Sequence, residues 1–323
     1  MGNEQIKVGS STLARATQIG LTITDPAQFI LAADVDVVLF NKAGTLTAPI
    51  RRVVKSRLAY SSPLMTQSDL LALAAGVEAS SEHPIAISIV EEARRQNLEL
   101  PNVLDARAIP GLGIAGVLDG ETIMVGGPGL LTSRNIPIYV DDLVRSDAAN
   151  QIGNSVVYVV QNSQLLGMIE LSESVLPEAI EMVNQFHANK IRVAMVTGDA
   201  TGVAQHFADQ LRIAEVFAEI VPSRKVDVVR KLKSDGSKVA VVGRLDLDGM
   251  ALSESHVGIA IDSDGFNTST AAGLHLKTSG TKVVLQTILL SKRVKSQSRQ
   301  KLFLISGAAL VLMGALAVIL SSL

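Results

Sequence analysis

Short apolar runs rich in β-branched residues recur along the chain, and polar or glycine-containing segments separate them. Runs of this kind are typical of strands that are buried on both faces of a parallel sheet. We therefore predict strands at residues 35–40, 156–160, 165–171, 191–196, 216–218, 238–242 and 257–261.

Between many of these runs, apolar residues recur at the spacing of an amphipathic helix. Pro177 is expected to open one helix, because proline is favoured in the first helical turn. Further helices are predicted over 201–211 and 223–233. This alternation indicates an α/β fold built from βαβ units, whose ligands bind at the carboxyl ends of the strands. Asn41, Thr197 and Arg244 each follow such a strand, so we expect them to come together.

Residues 50–155 follow a different pattern. Helical spacing covers 68–81 and continues from Pro84 to Arg95, and short strand candidates then follow at 114–118 and 122–125. We interpret this region as a domain inserted after the first strand. The predicted organisation is an N-terminal lead-in over 1–28, a sheet domain over 29–49 and 156–290, and the inserted domain over 50–155.

The C-terminal stretch 302–323 contains 22 residues without a charge. As a helix it would span roughly 33 Å, which exceeds a bilayer core of about 30 Å, so it predicts a transmembrane helix. The alternative is a buried core helix. Because cations mark the cytoplasmic side of a span, we expect a membrane protein whose preceding domains face the cytoplasm. The cations before the stretch are Lys292, Arg293, Lys295, Arg299 and Lys301.

Composition excludes several classes of protein. The chain has no cysteine, which rules out disulfides, thiolate metal sites and a cysteine nucleophile. Its formal net charge is -2, and aromatic residues make up 3% with no tryptophan. Bulk charge and stacking platforms for nucleic acid are therefore both missing, and we expect no nucleic-acid partner.

Eight short motifs occur along the chain in an order that resembles the heavy-metal subgroup of the P-type cation-transporting ATPases. NKAGTLT at 41–47 is similar to that family's DKTGTLT, and VGRLDLDGMAL at 242–252 is similar to its VGDGxNDAPAL. The resemblance covers roughly residues 19–301. The other six motifs are SEHP at 81–84, PGLG at 110–113, VGG at 125–127, TGD at 197–199, VPxxK at 221–225 and HVGIAI at 256–261.

The resemblance implies a haloacid-dehalogenase-like, Rossmannoid phosphorylation domain with an inserted α+β nucleotide-binding domain and ATP as cofactor. It assigns catalytic positions to Asn41, Lys42, Thr45, Thr197, Gly198, Asp199 and Lys225. It assigns nucleotide-binding positions to Glu78, His83, Gly111, Gly113 and Gly126, with Gly127 in place of the usual Asn. Taken singly, Glu78 could be a solvated helix residue, His83 a helix-start residue and the glycines ordinary turns.

The chain departs from the family pattern where the chemistry needs carboxylates. Asn41 replaces the nucleophilic Asp, and an amide is a far poorer nucleophile than a carboxylate. Arg244 replaces an expected magnesium ligand, while Asp248 remains as a residual metal ligand. Ala43 and Leu247 replace a Thr and an Asn. A cation at this position should repel Mg²⁺, so we expect a degenerate ATPase that retains ATP, with Mg²⁺ binding disfavoured. Arg244 would pair with Asp199 and Asp248 or neutralise phosphate directly.

Two further readings stay open. The chain could be an active fragment of a cation pump or a phosphatase on this scaffold, or a membrane-tethered interaction module without a ligand. The family's upstream membrane helices, Cys-Pro metal site and actuator domain have no counterpart in this sequence. We therefore expect either a piece of a split or longer pump, with a separate membrane domain or pump subunit as partner, or a membrane-anchored regulator.

Overall fold

The structure is a computed structural model that describes residues 8–48, 51–60, 62, 64–261, 270–277, 282–298 and 300. The helices are α1 (Ser10–Gln18), α2 (Pro26–Leu31), α3 (Gln67–Glu78), α4 (Pro84–Arg95), α5 (Pro128–Ser133), α6 (Val140–Gln151), α7 (Pro177–Ala188), α8 (Thr201–Leu211), α9 (Lys225–Ser234) and α10 (Leu245–Glu254). Residues 282–298 are also helical. Short 3₁₀ turns occupy Ala32–Asp34 and Pro222–Arg224.

The strands form two sheets. They are β1 (Leu21–Ile23), β2 (Val37–Asn41), β3 (Arg52–Leu58), β4 (Leu104–Ile109), β5 (Gly113–Leu118), β6 (Glu121–Gly126), β7 (Ser155–Gln161), β8 (Gln164–Ser172), β9 (Arg192–Val196), β10 (Glu215–Phe217), β11 (Val239–Gly243), β12 (Val257–Ile261) and β13 (Leu274–Leu276). The first sheet has the order β1-β13-β12-β11-β2-β9-β10, and the second has the order β3-β8-β7-β6-β5-β4. The predicted α/β class is confirmed.

The first sheet carries the parallel pairing that the apolar runs predict. β11 pairs in parallel with β12, β12 with β13, and β9 with β10, while β1 is antiparallel to β13. Every residue of β2, β11 and β12 is buried. Burial on both faces explains why these strands read as continuous apolar runs.

The chain divides into two compact units. One unit comprises the chain up to Leu39, Gln185–Arg192 and the chain from Val226 onward. The other comprises Phe40–Asn184 and Val193–Lys225, and it contains the whole six-stranded sheet. In that second unit α3 begins with a capping box between Thr66 and Asp69, and Pro84 occupies the first turn of α4. These local signals explain why both helices begin near the predicted positions.

The six-stranded sheet corrects the predicted boundary at residue 155/156. Strands β7 and β8 were assigned to the parallel sheet domain, but β7 pairs antiparallel with β6, and β8 pairs antiparallel with β7 and β3. In β7, Val157 and Val159 pack in one apolar cluster with residues of α3 and α4, whereas Tyr158 and Val160 pack in a second with residues of α5. A central antiparallel strand that is covered by apolar residues on both faces has a continuous apolar sequence, as a buried parallel strand does.

The N-terminal prediction is also corrected. Residues 1–28 were expected to be a lead-in, yet Leu21–Ile23 forms the edge strand β1 and pairs with Leu274–Leu276. A three-residue strand is too short to produce an apolar run, so neither of these partners was predicted. The predicted transmembrane segment 302–323 lies outside the described residues. Within the described ranges, none of the helices is both long and apolar enough to cross a bilayer.

Candidate functional site

Asn41 is the last residue of β2, and its side chain is held from two directions. Its Oδ1 accepts a hydrogen bond of 3.0 Å from Lys225 Nζ, and its Nδ2 donates one of 3.3 Å to the carbonyl of Ala43. Both Asn41 and Lys225 are buried. The loop that follows turns tightly, because the Lys42 carbonyl accepts the Leu46 amide at 2.9 Å and the Thr47 hydroxyl at 3.1 Å.

Lys42 lies at the centre of a buried ionic network. Its side chain is fully buried, forms an ion pair with Glu173, and places Nζ 2.8 Å from Asp199 Oδ2. The same Nζ lies 4.3 Å from the centroid of the Phe207 ring, a cation–π contact. A buried lysine needs such partners, since an unpaired charge would be strongly destabilising in the interior.

Arg51 is the second cation of the network. Its Nη2 lies 3.2 Å from Asp199 Oδ1 and 3.4 Å from Glu173 Oε2, and its Nη1 donates to Ser155 Oγ at 3.0 Å. Burial opposes the charge of Arg51, but the carboxylates of Asp199 and Glu173 outweigh burial and raise its pKa. Lys42 and Arg51 thus share both carboxylates.

Asp199 is correspondingly held ionised. Burial by itself would raise the pKa of this carboxyl, but Arg51 and Lys42 outweigh burial and hold the pKa well below its usual range. Thr197 adds a hydrogen bond of 2.7 Å to Asp199 Oδ2, and Thr197 Oγ1 in turn accepts the Asp199 amide at 3.2 Å. Gly198 joins the two residues, and a Cβ there would lie 3.5 Å from the Ile220 carbonyl, an ordinary contact.

Thr45 carries a buried hydroxyl without a hydrogen-bond partner. Only three buried side-chain polar atoms in the described part of the chain share this property. Buried polar groups are normally satisfied, and an exception invites a functional explanation. An incoming ligand oxygen beside this loop would supply the missing partner.

Glu78 ends α3 and His83 immediately precedes α4, in the same compact unit. Glu78 is buried, and burial raises its pKa to about 7 even though a hydrogen bond from Ser81 acts in the opposite direction. His83 is exposed and caps α4, with Nδ1 accepting the Ile85 amide at 3.2 Å. Desolvation and the Arg51 cation lower the pKa of His83.

Two of the predicted nucleotide-binding glycines are explained by packing. Gly113 and Gly126 face each other in the β5–β6 pair. A Cβ on Gly113 would lie 2.0 Å from the Val125 carbonyl oxygen, and one on Gly126 would lie 2.1 Å from that of Leu112. Gly111 differs, because its φ of +73° requires glycine while its nearest neighbour is 3.9 Å away. Gly127 has open space around it.

Arg244 and Asp248 belong to the other compact unit. The Arg244 guanidinium makes a bidentate contact with Asp246, at 3.0 Å from Nε to Oδ1 and 2.7 Å from Nη2 to Oδ2. Buried Asp248 accepts the Arg244 backbone amide at 2.9 Å. A Cβ on Gly243 would lie 2.3 Å from Asp248 Oδ2, so the glycine makes room for this carboxylate.

The residues present do not fit a magnesium site of the kind that the resemblance implies. Asn41 offers an amide in place of a carboxylate, and both carboxylates near it are held by Lys42 and Arg51. Over the described ranges, there is no cluster of three or more His, Cys, Asp or Glu side chains that could hold a metal ion. Mg²⁺ prefers several oxygen ligands, preferably with carboxylates among them.

Sequence reasoning missed Arg51, Ser155 and Glu173. Glu173 directly follows the buried strand β8, as Asn41 ends the buried strand β2, so its position at a strand end was a usable signal. Arg51 directly precedes β3 and Ser155 begins β7, and neither has a distinguishing pattern. By contrast, the predicted group of Asn41, Lys42, Thr197, Asp199 and Lys225 does fall within one compact unit and is linked by hydrogen bonds and ion pairs.

Comparison with known proteins identifies the family of this chain. Residues 35–243 match the model of the haloacid dehalogenase-like hydrolases. The chain is 34% identical to the copper-exporting P-type ATPase B of Archaeoglobus fulgidus over 90% of its own length and 41% of that protein. It is 30% identical to a manganese-exporting P-type ATPase of Mycobacterium bovis, over 79% of its own length and 36% of that protein.

Solved structures of transport ATPases also match this chain. A zinc-transporting PIB-type ATPase in the E2·Pi state matches 90% of this chain and 46% of its own, with a TM-score of 0.60 and 30% identity. The catalytic domain of the CPx-ATPase CopB-B shares the fold, with a TM-score of 0.63 over 85% of this chain and 98% of its own, at 24% identity.

The chain spans less than half the length of the curated relatives it matches. The part that matches contains the strand-end motifs, the buried ionic network and the six-stranded sheet. The chain therefore belongs to the haloacid dehalogenase-like hydrolase family and is homologous to the catalytic and nucleotide-binding domains of heavy-metal P-type ATPases.

Proposed function

We propose that this chain is a nucleotide-binding P-type ATPase module that does not form a phosphoenzyme. The observation that carries the proposal is Asn41, which occupies the end of β2 and is held by Lys225 and the Ala43 carbonyl. Phosphoryl transfer to this position needs a carboxylate oxygen as nucleophile. An amide fixed by a lysine keeps the shape of the site without that nucleophile.

Charge supports retention of the nucleotide. Buried side chains around Asn41 include the cations Lys42, Arg51 and Lys225 and the carboxylates Glu173 and Asp199. An asparagine in place of an aspartate at position 41 makes these surroundings one charge unit more positive. A more positive site favours a phosphate oxygen, and the unpartnered Thr45 hydroxyl offers a further hydrogen bond to it.

The change in charge also favours nucleotide binding without Mg²⁺. In the usual arrangement a metal ion neutralises phosphate between carboxylates. Here the asparagine and Arg244 together raise the formal charge of the motif positions by three units relative to two aspartates. Glu78, His83 and Gly111 are the candidate contacts for the base and the ribose-phosphate backbone of ATP.

At the level of the whole protein, we propose a membrane-anchored module with its domains in the cytoplasm. It would regulate or complete a heavy-metal pump whose membrane domain is a separate partner or another part of a longer chain. The relatives export copper or manganese or transport zinc, so a heavy-metal cation is the expected class of cargo.

Calorimetry with ATP and a phosphoenzyme assay test the proposal together. The wild type should bind ATP equally well with Mg²⁺ and with EDTA, and it should incorporate no phosphate. Asn41→Asp/Arg244→Asp should acquire a Mg²⁺ requirement. Mass spectrometry of the peptide covering 35–50 verifies that residue 41 is still asparagine. Phosphorylation of the wild type would overturn the degenerate assignment, and strictly Mg²⁺-dependent binding would overturn the metal-free site.

Lys225→Met provides the matched test of the nucleotide site. This substitution removes one cation and the hydrogen bond to Asn41 while leaving Glu78 and His83 in place. We expect weaker ATP binding and unchanged adenosine binding. If ATP, ADP and adenosine all fail to bind or to stabilise the wild type, the ligand-free interaction module is the correct reading.

A further inference from the structure

A second polar surface, separate from the nucleotide site, lies in the other compact unit between α1 and the helical residues 282–298. A cavity of ≈ 240 Å³ opens there, and an adjoining one of ≈ 340 Å³ continues along the same helical segment. They share Leu289 and Arg293. We call the two together the basic groove. Its other lining residues are Arg15, Ile19, Gln286, Leu290, Lys292, Ser296 and Gln297.

The lining of the basic groove combines positive charge with apolar surface. Arg15, Lys292 and Arg293 supply three cations, and among the described residues no acid lines either cavity. The helical residues 282–298 and α1 contain no acid in their sequences. The nearby Lys295 is different, since it forms an ion pair with Asp34. Among the described residues no ion pair engages the three groove cations.

The position of the groove in the chain indicates its ligand. Four residues after position 298, the sequence enters the uncharged stretch 302–323 that predicts a membrane span. Lys and Arg next to a span attract anionic headgroups, and basic pockets beside such segments hold them. Ile19, Leu289 and Leu290 offer apolar surface for the glycerol and the first acyl carbons.

We propose that the basic groove binds the phosphate headgroup of an anionic phospholipid at the cytoplasmic membrane surface. Arg15 and Arg293 are suited to bidentate contact with phosphate oxygens, and Lys292 adds a point charge. The ligand class is a phosphodiester lipid with net negative charge, such as phosphatidylglycerol. The proposal is independent of whether the nucleotide site binds ATP.

Native mass spectrometry of the full chain in mild detergent tests the proposal. Phosphatidylglycerol, phosphatidylcholine or inorganic phosphate is added, and bound molecules are counted. The wild type should retain phosphatidylglycerol in preference to the other two. Arg15→Gln/Lys292→Gln/Arg293→Gln should weaken this binding on the order of 100-fold, because each cation at an anionic surface contributes about a fivefold factor.

The matched control is Arg94→Gln/Arg107→Gln/Arg134→Gln, which makes the same change in net charge at exposed positions outside the groove. It should bind phosphatidylglycerol like the wild type. An equal loss of phosphatidylglycerol binding in both variants would show that bulk charge attracts the lipid, and it would overturn the proposed site. Equal retention of phosphatidylcholine would overturn the anionic selectivity, and equal binding of inorganic phosphate would replace the lipid by a free anion.

A probe in the groove reads out occupancy directly. Because the chain has no cysteine, Ser296→Cys allows a single bimane label at the groove, and Ser234→Cys on α9 gives a label on an exposed position elsewhere. Phosphatidylglycerol should shift the emission of the label at 296 and leave the label at 234 unchanged. An unchanged spectrum at position 296 would overturn the proposal.

Discussion

At the scale of single residues, the chemistry of the site is decided by a balanced buried network beside a neutral Asn41. Lys42 and Arg51 each contact both Glu173 and Asp199, so each carboxylate is shared between two cations. Because the folded-state pKa of Asp199 is depressed, its contribution to stability is present above the unfolded pKa of about 4 and is lost as the pH falls further.

Removing one carboxylate should therefore be costly. We expect Glu173→Gln to lower the free energy of unfolding by about 3–5 kcal/mol, because it leaves two buried cations with one carboxylate. Urea denaturation at pH 7 measures the change. Arg95→Gln is the control, since it breaks an ion pair whose arginine is 72% exposed and should leave the free energy of unfolding almost unchanged. Similar losses in both variants would contradict a tightly coupled buried network.

Glu78 predicts a pH dependence of the opposite sign. Its folded-state pKa is raised to about 7, so its contribution is fully present below the unfolded pKa and is lost as the pH rises through about 7. Glu78→Gln should be neutral at pH 4 and should stabilise the protein by up to about 3 kcal/mol at pH 8.5. Glu82→Gln, at an exposed neighbouring position, should show no such trend. Destabilisation by Glu78→Gln at pH 8.5 would contradict the raised pKa.

At the scale of elements, the strand pair β5–β6 shows how a glycine-rich motif can serve packing. Gly113 and Gly126 face each other. Because Gly113 has no Cβ, there is room for the Val125 carbonyl oxygen, and Gly126 likewise leaves room for the Leu112 carbonyl oxygen. Motif resemblance had assigned both to the nucleotide. Their geometry supports a structural role, whereas Gly111, with its positive φ and open surroundings, remains the candidate for close approach of a ligand.

Alanine substitution separates these roles. Gly113→Ala should destabilise the protein by about 3 kcal/mol or more, because its Cβ would lie 2.0 Å from the Val125 oxygen at a φ of +145°. Gly249→Ala, in the helix α10 with open space around it, should be stabilising by up to about 1 kcal/mol. Thermal and urea unfolding measure both variants. A fully stable Gly113→Ala that loses only ATP affinity would reverse the structural assignment.

At the scale of the whole molecule, the sequence predicts that the domains are joined to a membrane. The chain carries an uncharged stretch at 302–323 and a cluster of cations before it. That stretch lies outside the described residues, so the membrane anchor remains a prediction from the sequence.

Membrane fractionation tests the anchor. The full chain should stay in the membrane pellet after extraction with alkaline carbonate, because a span of about 20 apolar residues inserts stably. A variant lacking 302–323 should move to the supernatant, and protease added outside sealed right-side-out vesicles should leave the preceding domains intact. Recovery of the full chain in the carbonate supernatant would contradict the span.

Much of the fold was predictable because local signals agreed with the tertiary structure. The helices Pro84–Arg95 and Thr201–Leu211 and the strand Val257–Ile261 occur at the predicted positions, since caps, prolines and buried runs act over a few residues. The assignment of β7 and β8 to the parallel sheet was wrong, because continuous apolar runs arise in any strand that is covered on both faces. Partner choice among strands depends on contacts that are distant in sequence.

The sequence by itself determined which residues stand at the motif positions: Asn41 at the end of β2, Arg244 after β11, and the lysines, threonines and aspartates of the other motifs. Only the tertiary structure decided how their charges are used. It places Arg51 and Glu173, from segments without a motif, against Lys42 and Asp199, and it pairs Arg244 with Asp246. The physical reason is that ion pairs form between neighbours in space, which a linear pattern does not specify.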